Sequence, residues 1–243
     1  MLITKTIIPN IFTLLNLFCG CISIIFLQSK NFNDSAISTL FSIIFDFLDG
    51  FFSRLIKTEN LFGKELDSLA DMISFGMVPS VIVFLLLENK TPIPFIEYFS
   101  FLISIFSACR LAKFNINNNP DNKNHIMGLT TPVNTLFFSS FSLIITNNTV
   151  SFIRIINKNK IIHLIVMLFM IFLSCYLLVS KITMFSFNFK NFSWKKNKIR
   201  YIFLLISTFL LLTLHMIALP CIIIFYIITS IYFHRLKKIH IKT

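Results

Sequence analysis

Apolar residues along this chain collect into blocks of roughly 18–22, each closed by a short polar or charged break. A helix of about 20 residues, rising about 1.5 Å per residue, covers the hydrocarbon core of a bilayer. The pattern predicts eight such helices, over residues 7–27, 35–56, 66–87, 94–114, 130–147, 161–181, 200–218 and 219–234. The last two are parted only by a Leu-Pro-Cys turn. Polar residues inside the second and third blocks recur at helical spacing, so those two helices carry a polar face inside an apolar segment.

Composition supports the same class. The chain has 243 residues, of which 56% are hydrophobic and 13% charged, with a mean hydropathy of +0.81. A soluble domain is about one quarter charged. Five Gly and seven Pro leave little material for linkers. The expectation is an all-α, polytopic membrane helix bundle forming a single domain over 1–243.

The net charge of +12 changes the picture only through its placement. With eight spans, both termini lie on one side. That side holds Lys5, Arg54, Lys57, Lys64, Arg110, Lys113, Lys123, Lys181, Lys190, Lys195, Lys196, Lys198, Arg200, Arg235, Lys237, Lys238 and Lys242. Lys30, Lys90, Arg154, Lys158 and Lys160 fall opposite. This is the positive-inside bias, with both termini cytoplasmic. The charge reports topology and contact with anionic lipid rather than nucleic-acid binding. The five Cys form no CxxC pair and sit in or beside apolar spans, which excludes a disulfide frame or a zinc site. Phe18-Cys19-Gly20-Cys21 lacks the small aliphatic residue of a lipoprotein cleavage box, so the first block reads as an uncleaved helix. The five His are scattered without ligand spacing and read as loop or interface residues.

The chemistry lies in carboxylates placed where they are costly. Asp46 and Asp49 sit in the second block, Asp67 and Asp71 at the start of the third. An Asp at the centre of a membrane helix costs about 2.5–3.5 kcal/mol, and less near the interface. Asp46, Asp49, Gly50, Ser53 and Arg54 share one helical face; Gly63, Asp67, Ala70, Asp71 and Ser74 share another. The short link at about 55–62 predicts antiparallel neighbours, so the four carboxylates converge at the cytoplasmic boundary. Small residues among them leave space for a bulky group. Four unpaired carboxylates repel. Two divalent cations would remove that repulsion, and an oxygen-only ligand set suits Mg²⁺ or Mn²⁺. Two metals about 4 Å apart are the usual clamp for displacement at phosphorus. At this point three readings stay open: a structural cluster paired with Arg54, Lys57 and Lys64, a cation site of a transporter, and a catalytic centre.

Residues 46–71 read D-x2-D-G-x2-S-R-x8-G-x3-D-x3-D. The pattern resembles the signature of the CDP-alcohol phosphatidyltransferases, with Ser53 in place of the usual Ala. The resemblance implies a six-helix core over about 1–181, with two extra C-terminal spans over about 200–234. It also implies that Asp46, Asp49, Asp67 and Asp71 ligate two divalent cations, Mg²⁺ or Mn²⁺, and that Asp71 takes the proton from the acceptor hydroxyl. Gly50, Ser53 and Gly63 would admit the CDP group, and Arg54 would pair with a carboxylate or meet nucleotide phosphate.

PNIFTLLNLFCG (9–20), CRLAKFN (109–115), GLTTPVN (128–134) and NFSWKKNKIRY (191–201) resemble segments of the serine-using branch of that family. In GLTTPVN, Thr130 stands where Pro is common. On this likeness Asn10 and Thr13 face the nucleotide. The substrates implied are CDP-diacylglycerol and L-serine, the setting a bacterial inner membrane with a cytoplasmic site, and the assembly a homodimer. Arg110 and Lys113 close the fourth block on the cytoplasmic side. They read either as positive-inside anchors or as partners of the serine carboxylate, with Asn115 or Asn134 near its amine. Another acceptor alcohol, glycerol 3-phosphate or inositol phosphate, remains the alternative within the family. A cation transporter is the alternative outside it, although no second DxxDG-like half is present.

Overall fold

A computed structural model describes residues 2–56, 61–88, 93–116, 128–147, 158–182, 184, 194–214 and 217–240. Every regular element among them is helical. In chain order they are α1 (Leu2–Gln28), α2 (Phe32–Ile56), α3 (Leu61–Leu87), α4 (Ile96–Ile116), α5 (Thr131–Asn147), α6 (Lys160–Val179), α7 (Trp194–Leu214) and α8 (Ala218–His240). Each expected block thus corresponds to a helix. Five of them (Ile7–Gln28, Phe32–Ile56, Leu61–Leu87, Ile96–Ile116 and Lys160–Val179) are long and apolar enough to cross a membrane by length and composition. The apolar stretches Tyr201–Leu214 and Ala218–Tyr232 are shorter. Helix α5 is 17 residues long, and its polar side chains Thr131, Asn134, Thr135, Ser139, Ser140 and Ser142 are turned inward. The arrangement fits an integral membrane protein.

Helix ends differ from the hydropathy boundaries for a simple reason: hydropathy marks the apolar part of a helix, while the backbone ladder runs on through polar turns. Helix α3 begins at Leu61 rather than 66, which brings Gly63 and Lys64 into the helix. The break between the last two helices also moves. Helix α7 ends at Leu214 and α8 begins at Ala218, so Leu-Pro-Cys opens α8 instead of forming the turn. Pro220 is tolerated there because N–H groups of a first helical turn have no intrahelical acceptor.

A tight corner joins α1 to α2. Lys30 adopts positive φ, and the N–H groups of Lys30 and Asn31 return to the Leu27 and Phe26 carbonyls at 2.8 and 2.9 Å. Asn31 then caps α2: its Oδ1 accepts the Asp34 N–H at 3.2 Å while its Nδ2 donates to the Asp34 carboxylate at 2.6 Å. Helix α1 packs against both α2 and α3, and no comparable packing joins α2 to α3 among the described residues. The neighbourhood of α2 and α3 expected from the short link shows in their aspartate side chains, which meet, rather than in close backbone packing. Helix α1 brings the two together as their common neighbour, and side chains meet across the space they flank.

The core is built around the second half of α3. Val78, Ile82, Val83, Leu86 and Leu87 are buried with Ile103 of α4, Phe138 and Ile145 of α5, and Leu164, Met167 and Ile171 of α6. His163 of α6 is buried in this region, its Nε2 lying 3.0 Å from the Leu86 carbonyl. That corrects its reading as a loop or interface residue. Large apolar side chains such as Phe18, Phe47, Leu55 and Phe169 remain exposed, as lipid-facing residues are. Helix α8 packs on α5 and on α7.

Candidate metal centre

The site lies at the other half of α3, where α1, α2 and α3 meet. Asp46 and Asp49 are three residues apart on α2, so one helical turn carries both toward α1 and α3. Asp67 of α3 faces them, and one carboxylate oxygen from each of the three lies within 4.8 Å of the others. Asp71 lies one turn further along α3, close enough to Asp46 and Asp67 for their charges to act on it. Three of the four aspartates expected from the spacing thus form one cluster, with Asp71 beside it. Asp49 and Asp71 are buried.

Helix α1 supplies the polar support. Thr13, itself buried, donates from Oγ1 to Asp49 Oδ2 at 2.8 Å. Asn16, fully buried, donates from Nδ2 to Asp71 Oδ1 at 3.3 Å. Asn16 is in turn oriented by Ser42 of α2, whose hydroxyl donates to Asn16 Oδ1. The Asn16 carbonyl accepts from Ser42 at 3.2 Å and from Ser74 of α3 at 3.1 Å. Ser74 belongs to the polar face expected of the third block, whereas the spacing of the aspartates gives no sign of Asn16 or Ser42. The available signal was the helical stripe Asn10, Thr13, Asn16 and Gly20 along an otherwise apolar helix.

Two glycines set how closely α1 approaches α3. A Cβ on Gly20 would collide with Ser74 Oγ and lie 2.9 Å from Ser74 Cα. A Cβ on Gly63 would lie 2.8 Å from Asn10 Oδ1, so Asn10 and Gly63 face each other across the same seam. Gly50 is different: an added Cβ there would find only Arg54 Nη2, 4.0 Å away, so its surroundings are open. Arg54 folds back along α2, its Nε donating to the Gly50 carbonyl at 2.8 Å, and is exposed. Ser53 lies half-buried beside it.

Of the residues expected on the acceptor side, Arg110 lies near the cluster and Asn134 is buried in the bundle. Arg110 of α4 lies within electrostatic reach of Asp71 and Asp46, and its Nη1 donates to Thr131 Oγ1 at 3.2 Å. Asn134 of α5 is buried and accepts from Ser174 at 2.8 Å. Arg110 Nε and Asn134 Nδ2 are buried donors without a partner among the described residues. Lys113 is exposed. Asn115 is engaged elsewhere: its Nδ2 donates to Ser68 at 2.8 Å, and its carbonyl accepts from Lys64 at 2.9 Å. That pair ties α4 to α3. Lys57, Lys123, Lys190 and Lys242, expected on the same side, lie outside the described residues.

The cluster fits a cation. Two carboxylates whose oxygens lie within 4.8 Å of one another repel, when both are ionised, by roughly 3 kcal/mol or more at an effective dielectric constant of about 20. Thr13, Asn16 and Arg110 offset part of this. Asp67 Oδ1 remains buried with no hydrogen-bond partner among the described residues. Its lone pairs are available to a ligand that brings positive charge. All the donors are carboxylate oxygens, the set that hard divalent cations prefer.

Comparison with known proteins bears on the same segment. Residues 6–172 match the sequence profile of the family described as CDP-alcohol phosphatidyltransferase. The chain is similar to a CDP-diacylglycerol–serine O-phosphatidyltransferase of Helicobacter pylori, at 39% identity over 125 residues, covering 51% of this chain and 52% of that protein. An archaetidylserine synthase of Methanothermobacter thermautotrophicus is 33% identical over 144 residues, covering 56% and 58%. A CDP-diacylglycerol–serine O-phosphatidyltransferase of Bacillus subtilis is 34% identical over 110 residues, covering 45% and 61%. The chain thus spans between about half and three fifths of the length of these curated relatives.

Proposed function

The chain belongs to the CDP-alcohol phosphatidyltransferase family, and we propose that it transfers the phosphatidyl group of CDP-diacylglycerol to the hydroxyl of L-serine, giving phosphatidylserine and CMP. The observation that supports the reading is the convergence of Asp46, Asp49 and Asp67 on one cluster, with Asp71 within electrostatic reach of it, inside the segment that matches the family. The relatives' names direct the choice of acceptor.

Asp46, Asp49, Asp67 and Asp71 would hold two divalent cations, Mg²⁺ or Mn²⁺. When bound, these would neutralise the diphosphate and stabilise CMP as a leaving group. The remaining steps belong to the protein. The seam lined by Asn10, Thr13, Gly50, Ser53, Arg54 and Gly63 receives the cytidine diphosphate, with the acyl chains in the bilayer. Asp71, oriented by Asn16, accepts the serine hydroxyl proton as that oxygen bonds to the phosphorus bearing the lipid, and the bond from that phosphorus to CMP breaks. A serine hydroxyl is a weak nucleophile at neutral pH, so a positioned base is needed. Arg110 and Asn134, with donors to spare, meet the amino acid; a planar guanidinium suits a carboxylate. Lys113 and Asn115 contribute at the rim. The positive-inside pattern supports a cytoplasmic site, and the family resemblance supports a single domain over 1–243 acting as a homodimer in a bacterial inner membrane.

The test is CMP release by purified protein given CDP-diacylglycerol and each labelled alcohol in turn. Serine should be the acceptor that yields labelled lipid. Turnover with glycerol 3-phosphate or inositol phosphate but not serine would overturn the assignment.

A further inference from the structure

Helix α3 is not uniform. Met72–Met77, directly after Asp71, form a π-helical turn in which the Val78 N–H returns to the Ile73 carbonyl. Such a turn inserts a residue into the helix and rotates the segment before it relative to the segment after it. Pro79, just beyond, has no N–H to give back to the ladder. In an α-helical ladder its acceptor would be the Phe75 carbonyl. Here that carbonyl accepts the Thr135 hydroxyl of α5, at 3.0 Å. The next carbonyl, Gly76, accepts from Ser80 of α3 and Ser104 of α4, each at 3.0 Å. Gly76 itself leaves room for Met72 and Ser107, since an added Cβ would lie 3.1 Å from Met72 Sδ and 3.4 Å from Ser107 Cβ.

These ties differ in kind. Gly76 has two hydroxyl donors, one local, whereas the Phe75 tie reaches across to the helix that also carries Thr131 and Asn134. Thr135 is fully buried and also lies 3.0 Å from the Thr131 carbonyl. Thr131 in turn receives Arg110 through its own hydroxyl. On the other side of the π turn, Ser74 bonds the Asn16 carbonyl, and Asn16 bonds Asp71. Besides the direct attraction between Asp71 and Arg110, a buried hydrogen-bonded route between them runs through the π turn and Thr135.

We propose that Thr135 is a positioning residue: by donating to the Phe75 carbonyl it locks the π turn of α3 and so sets the angle at which Asp71 faces the metal cluster and Arg110. The inference deepens the reading of the site as a metal-assisted transferase and rests on it.

The test uses full-length protein in detergent micelles, comparing Thr135→Val, which keeps the shape and removes the hydroxyl, with Thr135→Ser, which restores it. Two readouts are taken: Mn²⁺ binding, by the loss of free-ion electron paramagnetic resonance signal, and kcat and KM for CDP-diacylglycerol, by CMP release with serine. Thr135→Val should weaken Mn²⁺ binding three- to tenfold and lower kcat at least tenfold, with KM for the lipid within twofold. Thr135→Ser should return both to within about twofold. Wild-type values in Thr135→Val would overturn the proposal. Equal impairment in both variants, tracking a loss of thermal stability, would also overturn it by reducing Thr135 to a packing role. If the wild-type protein released no CMP with serine, the acceptor assignment would fall, while the Mn²⁺ comparison would still decide the role of Thr135.

Discussion

Thr13→Val isolates one contact in the metal cluster. Valine keeps the β-branched shape and deletes only the hydroxyl that donates to Asp49 Oδ2 at 2.8 Å. The same hydroxyl also lies 3.1 Å from the Pro9 carbonyl, but the closer, charged acceptor is the stronger one. Thr13 and Asp49 are 3% and 7% exposed, so water cannot replace the lost donor. Loss of a group that orients a metal ligand typically weakens metal binding by about 10- to 100-fold, and apparent Mg²⁺ affinity should fall by about that much. Thr13→Ser should stay within about threefold of wild type, a difference of well under 1 kcal/mol. The assay is CMP release from CDP-diacylglycerol and serine as a function of Mg²⁺ concentration. High Mg²⁺ should restore much of the lost rate in Thr13→Val. A Mg²⁺ curve superimposable on wild type would refute the claim that Thr13 orients a metal-binding carboxylate.

Other substitutions probe separate parts of the site. Asp71→Asn should lower kcat by at least about 100-fold, the lower range for loss of a general base, while membrane insertion is retained; normal turnover excludes it as base. Arg110→Ala should raise KM for serine far more than KM for CDP-diacylglycerol, and an unchanged serine KM would remove its acceptor role. Gly20→Ala drives a methyl into Ser74 and, with backbone as well as side chain in its way, should destabilise by about 1–3 kcal/mol, measured as a lower melting midpoint in detergent. A variant as stable as wild type would show that α1 and α3 can separate freely.

The class of the protein was legible because apolar block length alone dictates helices, and the carboxylate cluster because helical spacing places Asp46 with Asp49 and Asp67 with Asp71 on shared faces. Two features escaped for physical reasons. A short link makes α2 and α3 neighbours, yet it does not reveal that α1 packs against both, its Gly20 allowing an approach to Ser74 that a larger residue would block. The π turn escaped because hydropathy is blind to helical phase; Gly76 followed by Pro79 was the local sign. Asn16 and Ser42 went unread, and the cross-helix bond of Ser74 with them, because single polar residues commonly satisfy themselves on their own helix. Here they bond across helices and orient Asp71. On the acceptor side, sequence alone could not separate Arg110 and Asn134, which turn inward, from Lys113, which is exposed, and Asn115, which is committed to Ser68.

The central physical claim is that carboxylates from α2 and α3 form one chelating centre. Counting bound Mn²⁺ by electron paramagnetic resonance, on purified wild-type protein and on the combined Asp46→Asn, Asp49→Asn and Asp67→Asn variant, tests it most directly. The account predicts two ions per chain on the wild type and none held by the folded triple variant. Equal Mn²⁺ binding by the two proteins, or none by either, would contradict it.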